Sequence, residues 1–349
     1  LGNLWYDKRQ YAEAIEQWEL SVARDPDFSR AYRNLGLAYF NKKDDKAKAL
    51  EYYEKAFTLD NSDARILVEL DQLYKRLNKD VQERLQFLEQ HLEVVKQRDD
   101  LYLERAALYN FTGQHKVAHQ QVMQRRFHPW EGGEGKVSGQ YIYSLVEMAK
   151  THIHNGEPAQ AISLLEKAQV YPENLGEGKL FGAKENDIFY WLGVAHEQCG
   201  NSEVATKYFE KASEGSSEPT AAMFYNDQPP DKIFYQGLAW KKLGKKELAR
   251  QIFNNLVQYG KTHLNDSVKI DYFAVSLPDL LIFEDDLDMR NKVHCYYMMG
   301  LGYLGLNNTA EAAAAFGKVL QMDNMHFGAK THLDLVDTTL RNKTLEVGS

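Results

Sequence analysis

Four stretches of this 349-residue chain carry the same small and aromatic residues in the same order, and no other property restricts its fold so strongly. "NLGLAYFNKKDDKAKALEYYEKA" presents Leu35, Gly36, Tyr39, Ala49, Tyr53 and Ala56. "YWLGVAHEQCGNSEVATKYFEKA" matches it with Leu192, Gly193, Gly200, Ala205, Phe209 and Ala212, and "YQGLAWKKLGKKELARQIFNNL" with Gly237, Trp240, Gly244, Ala249, Phe253 and Leu256. "MGLGYLGLNNTAEAAAAFGKV" repeats the spacing through Gly300, Tyr303, Ala312, Phe316 and Val319. A recurring block is read first, because a missed period misassigns the whole fold. Gly36, Gly193, Gly237, Ala49, Ala205 and Ala249 fall where two antiparallel helices must approach closely, and Tyr39, Trp240, Tyr53, Phe209 and Phe253 fill the space beside them. One helix pair cannot bury its apolar face alone, so successive pairs must stack into a continuous core.

The pattern resembles the tetratricopeptide repeat, a helix-turn-helix unit of about 34 residues. The resemblance covers nearly the whole chain and implies an all-α, right-handed superhelical solenoid. About eight units are expected, marked by Ala14, Ala49, Ala118, Ala161, Ala205, Ala249 and Ala312 and by a degenerate unit around Arg84 to Leu88. Arg84 stands where Ala lets the helices close, which predicts poor packing in the third unit. Leu1 and Gly2 already fall in the middle of a first helix, so the chain is expected to be the C-terminal part of a larger protein. The loop "FHPWEGGEGK" is also similar to large bacterial proteins in which such an array follows a β-rich, mutarotase-like domain, and that likeness implies such a domain upstream. The family's clamp for a C-terminal peptide carboxylate needs Lys and Asn one turn apart on successive first helices. Here Leu37 follows Arg33 and Asn34, and the fourth unit shows Leu103 and Glu104, so the clamp is not carried over.

The period lengthens along the chain. Ala14 and Ala49 are 35 residues apart, Ala118 and Ala161 43, the next two steps 44 each, and Ala249 and Ala312 63. Gly193 to Ala205 and Gly237 to Ala249 remain 12 residues, so the surplus lies between units. The insertions are "RFHPWEGGEGKVSGQ", "YPENLGEGKLFGAKEND", "EGSSEPTAAMFYNDQPPD" and "KTHLNDSVKIDYFAVSLPDLLIFEDDLDMRN". Each follows the second helix of a pair, which predicts four loops stacked on one rim. The chain is therefore divided into regular units over 1–125, the first truncated and the third degenerate, and units with rim insertions over 126–349, ending in a capping helix. Long loops without structure of their own are often functional. The candidate binding residues are His128, Trp130, Glu131, Glu134 and Lys136 in the first insertion, Lys179 and Phe181 in the second, and Phe224 and Tyr225 in the third. Trp130, Phe181 and Tyr225 are expected on one side, with Glu131, Glu134, Lys136 and Lys179 converging near them. Aromatic faces beside carboxylates suit a peptide, a neighbouring domain or a sugar. The plainer alternative is that Trp130, Phe181 and Phe224 staple each loop to the edge of the array.

Other chemistries fit poorly. A net charge of −8 without a dense Lys/Arg run argues against duplex nucleic acid and anionic membranes. Cys199 and Cys295 have no CxxC spacing and no disulfide framework, and no run of about 18 apolar residues is present. In "GGEGK" and "LGEGK", Trp130 and Glu173 occupy the place of the first P-loop Gly, and Val137 and Leu180 the place of Ser/Thr. Glu131 and Glu134 are weighed as a glycosidase pair and read instead as a solvated loop. "FEDDLDMRN" lacks the Gly and terminal Glu of a calcium loop and reads as an acidic helix start. His152 and His154 face different sides of a helix and share no metal, and His196 is read as packed. The resulting expectation is a non-catalytic scaffold for protein-protein or interdomain binding, without cofactor or metal. The alternative is the accessory half of a carbohydrate-active enzyme whose rim loops complete a sugar site on a missing domain. The compartment is left open, with the cytoplasm favoured.

Overall fold

The computed structural model describes residues 1–130, 132–221, 227–268 and 282–347, with side chains as far as 337. Among them every regular element is helical. They divide into two compact units, 1–105 with 282–285, and the remainder.

The first unit contains α1 (Gly2–Asp7), α2 (Tyr11–Arg24), α3 (Ser29–Lys43), α4 (Lys46–Leu59), α5 (Ala64–Arg76), α6 (Val81–Gln90), the single turn α7 (Leu92–Val95) and the start of α8 (Asp99–Phe111). The second contains the end of α8, then α9 (His115–Gln124), α10 (Lys136–His154), α11 (Pro158–Ala168), α12 (Asn186–Gln198), α13 (Ser202–Ala212), α14 (Pro230–Lys242), α15 (Lys246–His263), α16 (Leu287–Gly305), α17 (Thr309–Met322) and α18 (Phe327–Val347).

Eight hairpins follow one another, and one residue in each reverses the chain. Arg9, Asp44, Asn78, Gly113, Gly156, Gly200, Gly244 and Asn307 all have φ between 51° and 81°, the left-handed region that glycine and asparagine tolerate best. Their spacing, near 35 residues at first and then 43, 44, 44 and 63, reproduces the lengthening period. Inside each hairpin the small residue does what the pattern requires. A Cβ on Gly36 would lie 2.5 Å from the Tyr53 ring, one on Gly193 2.5 Å from Phe209, and one on Gly237 2.4 Å from Phe253. The aromatic ring of the second helix thus packs directly on the backbone of the first.

Local caps explain where helices of the first unit begin. Asp45, Asp63 and Asp80 accept backbone N–H bonds at the N-termini of α4, α5 and α6. The third hairpin carries Arg84 where its sister hairpins carry Ala. Arg84 is fully buried, its Nε and Nη2 donate to Asp71 at 3.1 and 2.8 Å, and Nη2 donates to Glu104 at 2.8 Å. Lys75 donates to the same Glu104 at 2.9 Å. The long side chain therefore fills the Ala position with an ion-paired group instead of leaving a gap. Burial alone would raise the Glu104 carboxyl, but Lys75 and Arg84 hold it down at about 2.

Rings dominate the second unit. Phe234, Tyr235, Phe253, Tyr297 and Phe316 are buried with His332 of α18. Tyr143 of α10 packs edge-on against Phe327 at 4.8 Å and shares a 2.8 Å hydrogen bond with Thr331. These contacts tie α18 to the body of the unit. Among the described residues no helix is long and apolar enough to cross a membrane.

Candidate functional site

The first two insertions are joined by hydrogen bonds that the candidate residues do not make. Asn174 donates to the carbonyls of Val122 and Arg125, both at 3.0 Å, and its own carbonyl accepts from Phe127 N at 2.8 Å. Glu177 accepts from Gly135 N at 2.7 Å and Ser138 N at 2.6 Å, and so caps α10 from about 40 residues away. A carboxylate at a helix N-terminus is held both by these N–H groups and by the helix dipole. Buried Phe127 and Leu175 lie under this junction.

The candidate side chains themselves are dispersed. Trp130 is half-buried on its own loop, so close to Gly133 that a Cβ there would lie 2.3 Å from the indole. His128, Glu134 and Lys136 are exposed. Lys179 pairs with Glu185 at 2.6 Å and donates to the Gln169 carbonyl at 3.1 Å. Phe181 is wholly exposed beside exposed Leu180. Glu131, Phe224 and Tyr225 lie outside the described residues. The third insertion is tied to the chain near it through Asn186, which donates to the carbonyls of Ala212 and Glu214, both at 2.9 Å, and through His294, whose Nε2 lies 2.8 Å from the Thr220 carbonyl.

The end of the fourth insertion, residues 282–285, belongs to the first unit. There they lie as a non-helical segment, bent at Ile282 and Phe283, against the C-terminal ends of α3 and α5. Asn41 Nδ2 donates to the Ile282 carbonyl at 2.9 Å, and Asn41 Oδ1 accepts from Glu284 N at 2.9 Å. One side-chain amide thus satisfies both a donor and an acceptor of the segment's backbone, as a neighbouring strand would. Arg76 donates to the Phe283 carbonyl at 3.1 Å, to the Glu284 carbonyl at 3.3 Å and to the Asp285 carboxylate at 2.8 Å. Phe283 is fully buried, edge-on to Phe40 at 4.7 Å and to Tyr53 at 5.7 Å. Lys42 bonds Glu284; burial alone would lower the Lys42 ammonium, but this bond raises it above the ordinary lysine value.

The cradle is braced from below. Tyr53 donates at 3.0 Å to Glu69, a carboxylate 1% exposed that also accepts from Nε and Nη2 of the Arg33 guanidinium and from Arg65. Tyr53 therefore has a fixed ring and a fixed hydroxyl. "IFED" was read with its neighbours only as an acidic helix start. Asp286 does cap α16 by accepting from Met289 N, but the residues just before it serve a different helix pair. Sequence offered one sign, an aromatic between acids in an otherwise long insertion.

A larger groove of about 1100 Å³ in the first unit runs beside Trp18, Ser21 and Arg24 of α2 and Arg30 and Arg33 of α3. Gly2 and Asn3 of α1 line it as well. Among the described residues no three His, Cys, Asp or Glu side chains are grouped to hold a metal ion. Burial pushes the Cys295 thiol up to about 11, which leaves it protonated and unreactive at neutral pH.

Tetratricopeptide-repeat models match residues 1–64, 187–214, 233–259 and 293–324. Among solved structures, the chain is similar to YrrB, described as a protein of this repeat class with an unusual peptide-binding site, at 18% identity over 57% of this chain and 91% of that one, with a TM-score of 0.38. It is similar also to a tetratricopeptide-repeat protein from Parabacteroides merdae, at 14% identity over 88% and 98% of the two chains and a TM-score of 0.43. A third likeness is to the Cut9–Hcn1 hetero-tetramer of the APC/C, at 13% identity over 96% of this chain and 54% of that one, with a TM-score of 0.36. Likenesses this distant carry nothing about a ligand.

Proposed function

We propose that this chain, which belongs to the tetratricopeptide-repeat family, is a non-catalytic scaffold that binds an extended segment of protein. The observation that carries this reading is the cradle on α3 and α5. Asn41 and Arg76 grip main-chain groups of 282–284, and Phe40 with Tyr53 receives one aromatic side chain. Main-chain bonds supply affinity for any extended chain, and the ring pocket supplies selectivity. A non-catalytic role agrees with the protonated, buried Cys295 thiol. The sugar-site alternative gains no support from Trp130, whose ring packs on Gly133.

The test is selection from a displayed library of random twelve-residue peptides against the full chain, run in parallel on a Phe283→Ala form. Recovered peptides should bind the purified chain in solution, and Asn41→Ala with Arg76→Ala should weaken them at least tenfold. Failure of both forms to enrich any peptide would reject the scaffold reading.

A further inference from the structure

Resting on that reading, we infer that the cradle on α3 and α5 recognises a segment with an aromatic residue followed by two acidic residues, and that residues 282–285 occupy it as an internal competitor. The occupant and the site match position by position. Phe283 enters the pocket of Phe40 and Tyr53, Glu284 meets Lys42, and Asp285 meets Arg76. Each acid has its own cation. The main chain between them is held at four points by only two side chains, Asn41 and Arg76. None of these contacts requires the segment to be continuous with the rest of the molecule. A second protein presenting the same groups in the same order would make all of them.

The manner of holding also favours exchange. Glu284 is 59% exposed and Asp285 30%, so their ion pairs are solvent-screened and individually weak. Phe283 is the one deeply buried anchor of the described segment. A tethered segment competes at an effective concentration of roughly millimolar order, and the apparent affinity for an outside ligand is reduced by the fraction of time the site is filled. Neutralising the tethered segment therefore strengthens binding from outside without adding any contact. The partner class is a protein segment, acidic and aromatic, which suits a site whose two cations, Lys42 and Arg76, each pair with one acid of the tethered segment.

The experiment uses the full chain and a fluorescein-labelled peptide carrying Ile-Phe-Glu-Asp, read by polarisation. A Glu284→Lys, Asp285→Lys form, altered only at exposed positions, should bind the peptide at least tenfold more tightly than the unaltered chain. Adding Asn41→Ala should abolish that gain, and a peptide with Ala in place of Phe should not bind. Equal affinity of both forms, or no binding to the altered form, overturns the inference. Should the altered form fail to fold, hydrogen exchange on the unaltered chain decides: saturating peptide should raise exchange at 283–285 at least severalfold, and unchanged exchange overturns the inference. Library peptides that need Asn41 yet lack the aromatic-acidic order would also overturn it, while leaving the scaffold reading intact.

Discussion

Between α5 and α6 of the first unit, the place for a small residue holds Arg84, paired with Asp71 and Glu104; between α14 and α15 of the second, Gly237 lets the Phe253 ring lie on the backbone. The same contrast recurs nearby. The first unit buries Glu69 among Arg33, Arg65 and Tyr53, whereas the second buries Phe234, Tyr235, Tyr297 and Phe316 around a neutral His332. Three helices of the first unit begin on their own Asp, and α10 of the second begins on Glu177, borrowed from another loop. The third hairpin is thus closed by an ion-paired arginine, whereas Gly36 with Tyr53 and Gly237 with Phe253 close theirs by a ring on the backbone. The two closures respond to different perturbations, because removing one member of a buried ion pair strands a charge, while altering a ring contact changes only packing.

The largest effect should come from Arg84→Ala, which strands Asp71 in the first unit and is expected to cost about 3–5 kcal/mol. Arg84→Met should cost far less than Arg84→Ala when combined with Asp71→Leu. Hydrogen exchange should place the loss in residues 1–105 and spare the rings of α14 to α18. Equal loosening in both units would end the contrast.

Acid should act in the opposite order. Burial drives the His332 imidazole down to about 4, below its ordinary value near 6.5. Between those values the unfolded chain holds a proton that the folded one lacks, so the second unit loses stability as pH falls through 6.5 towards 4, by up to about 3 kcal/mol. Glu104, held at about 2, contributes stability to the first unit that is lost only below its ordinary value near 4.5. A titration from pH 7 to 5 followed by segment-resolved hydrogen exchange should therefore open the second unit first, and His332→Phe should flatten that response. Earlier opening of residues 1–105 would contradict the assignment.

Gly237→Ala drives a methyl group into the Phe253 ring and should cost about 2 kcal/mol by overpacking. Gly36→Ala meets Tyr53, whose hydroxyl is tied to Glu69, so its cost should be at least as large. Thermal melts of the two variants compare a free ring with a tethered one. The smallest effect concerns caps: Asp80→Ala and Glu177→Ala should each cost about 1 kcal/mol. Only Glu177→Ala should raise exchange in two separate stretches, near Gly135 and near Glu177, because only that cap bridges two loops.

The repeat unit was legible from residues alone because its determinants are local. Gly36 and Tyr53, or Gly237 and Phe253, lie within one hairpin, and the left-handed turn at Asp44 or Gly244 sits between them. Helical periodicity encodes which face is buried and where the chain reverses, and both are properties of a window of some 30 residues. The same reasoning expected a gap at Arg84, since a pattern registers the missing Ala and not the carboxylates of Asp71 and Glu104 that replace its effect. It did not register that Lys179 pairs with Glu185, six residues on. Tertiary structure alone decided that Glu177 caps α10 and that Ile282 meets Asn41 across 241 residues of sequence. The bonds involved are ordinary amide and carboxylate contacts, available to dozens of side chains in the chain. Periodicity carries no record of which two will meet, because that choice depends on where folded surfaces come to lie and on which polar groups remain unpaired when they do.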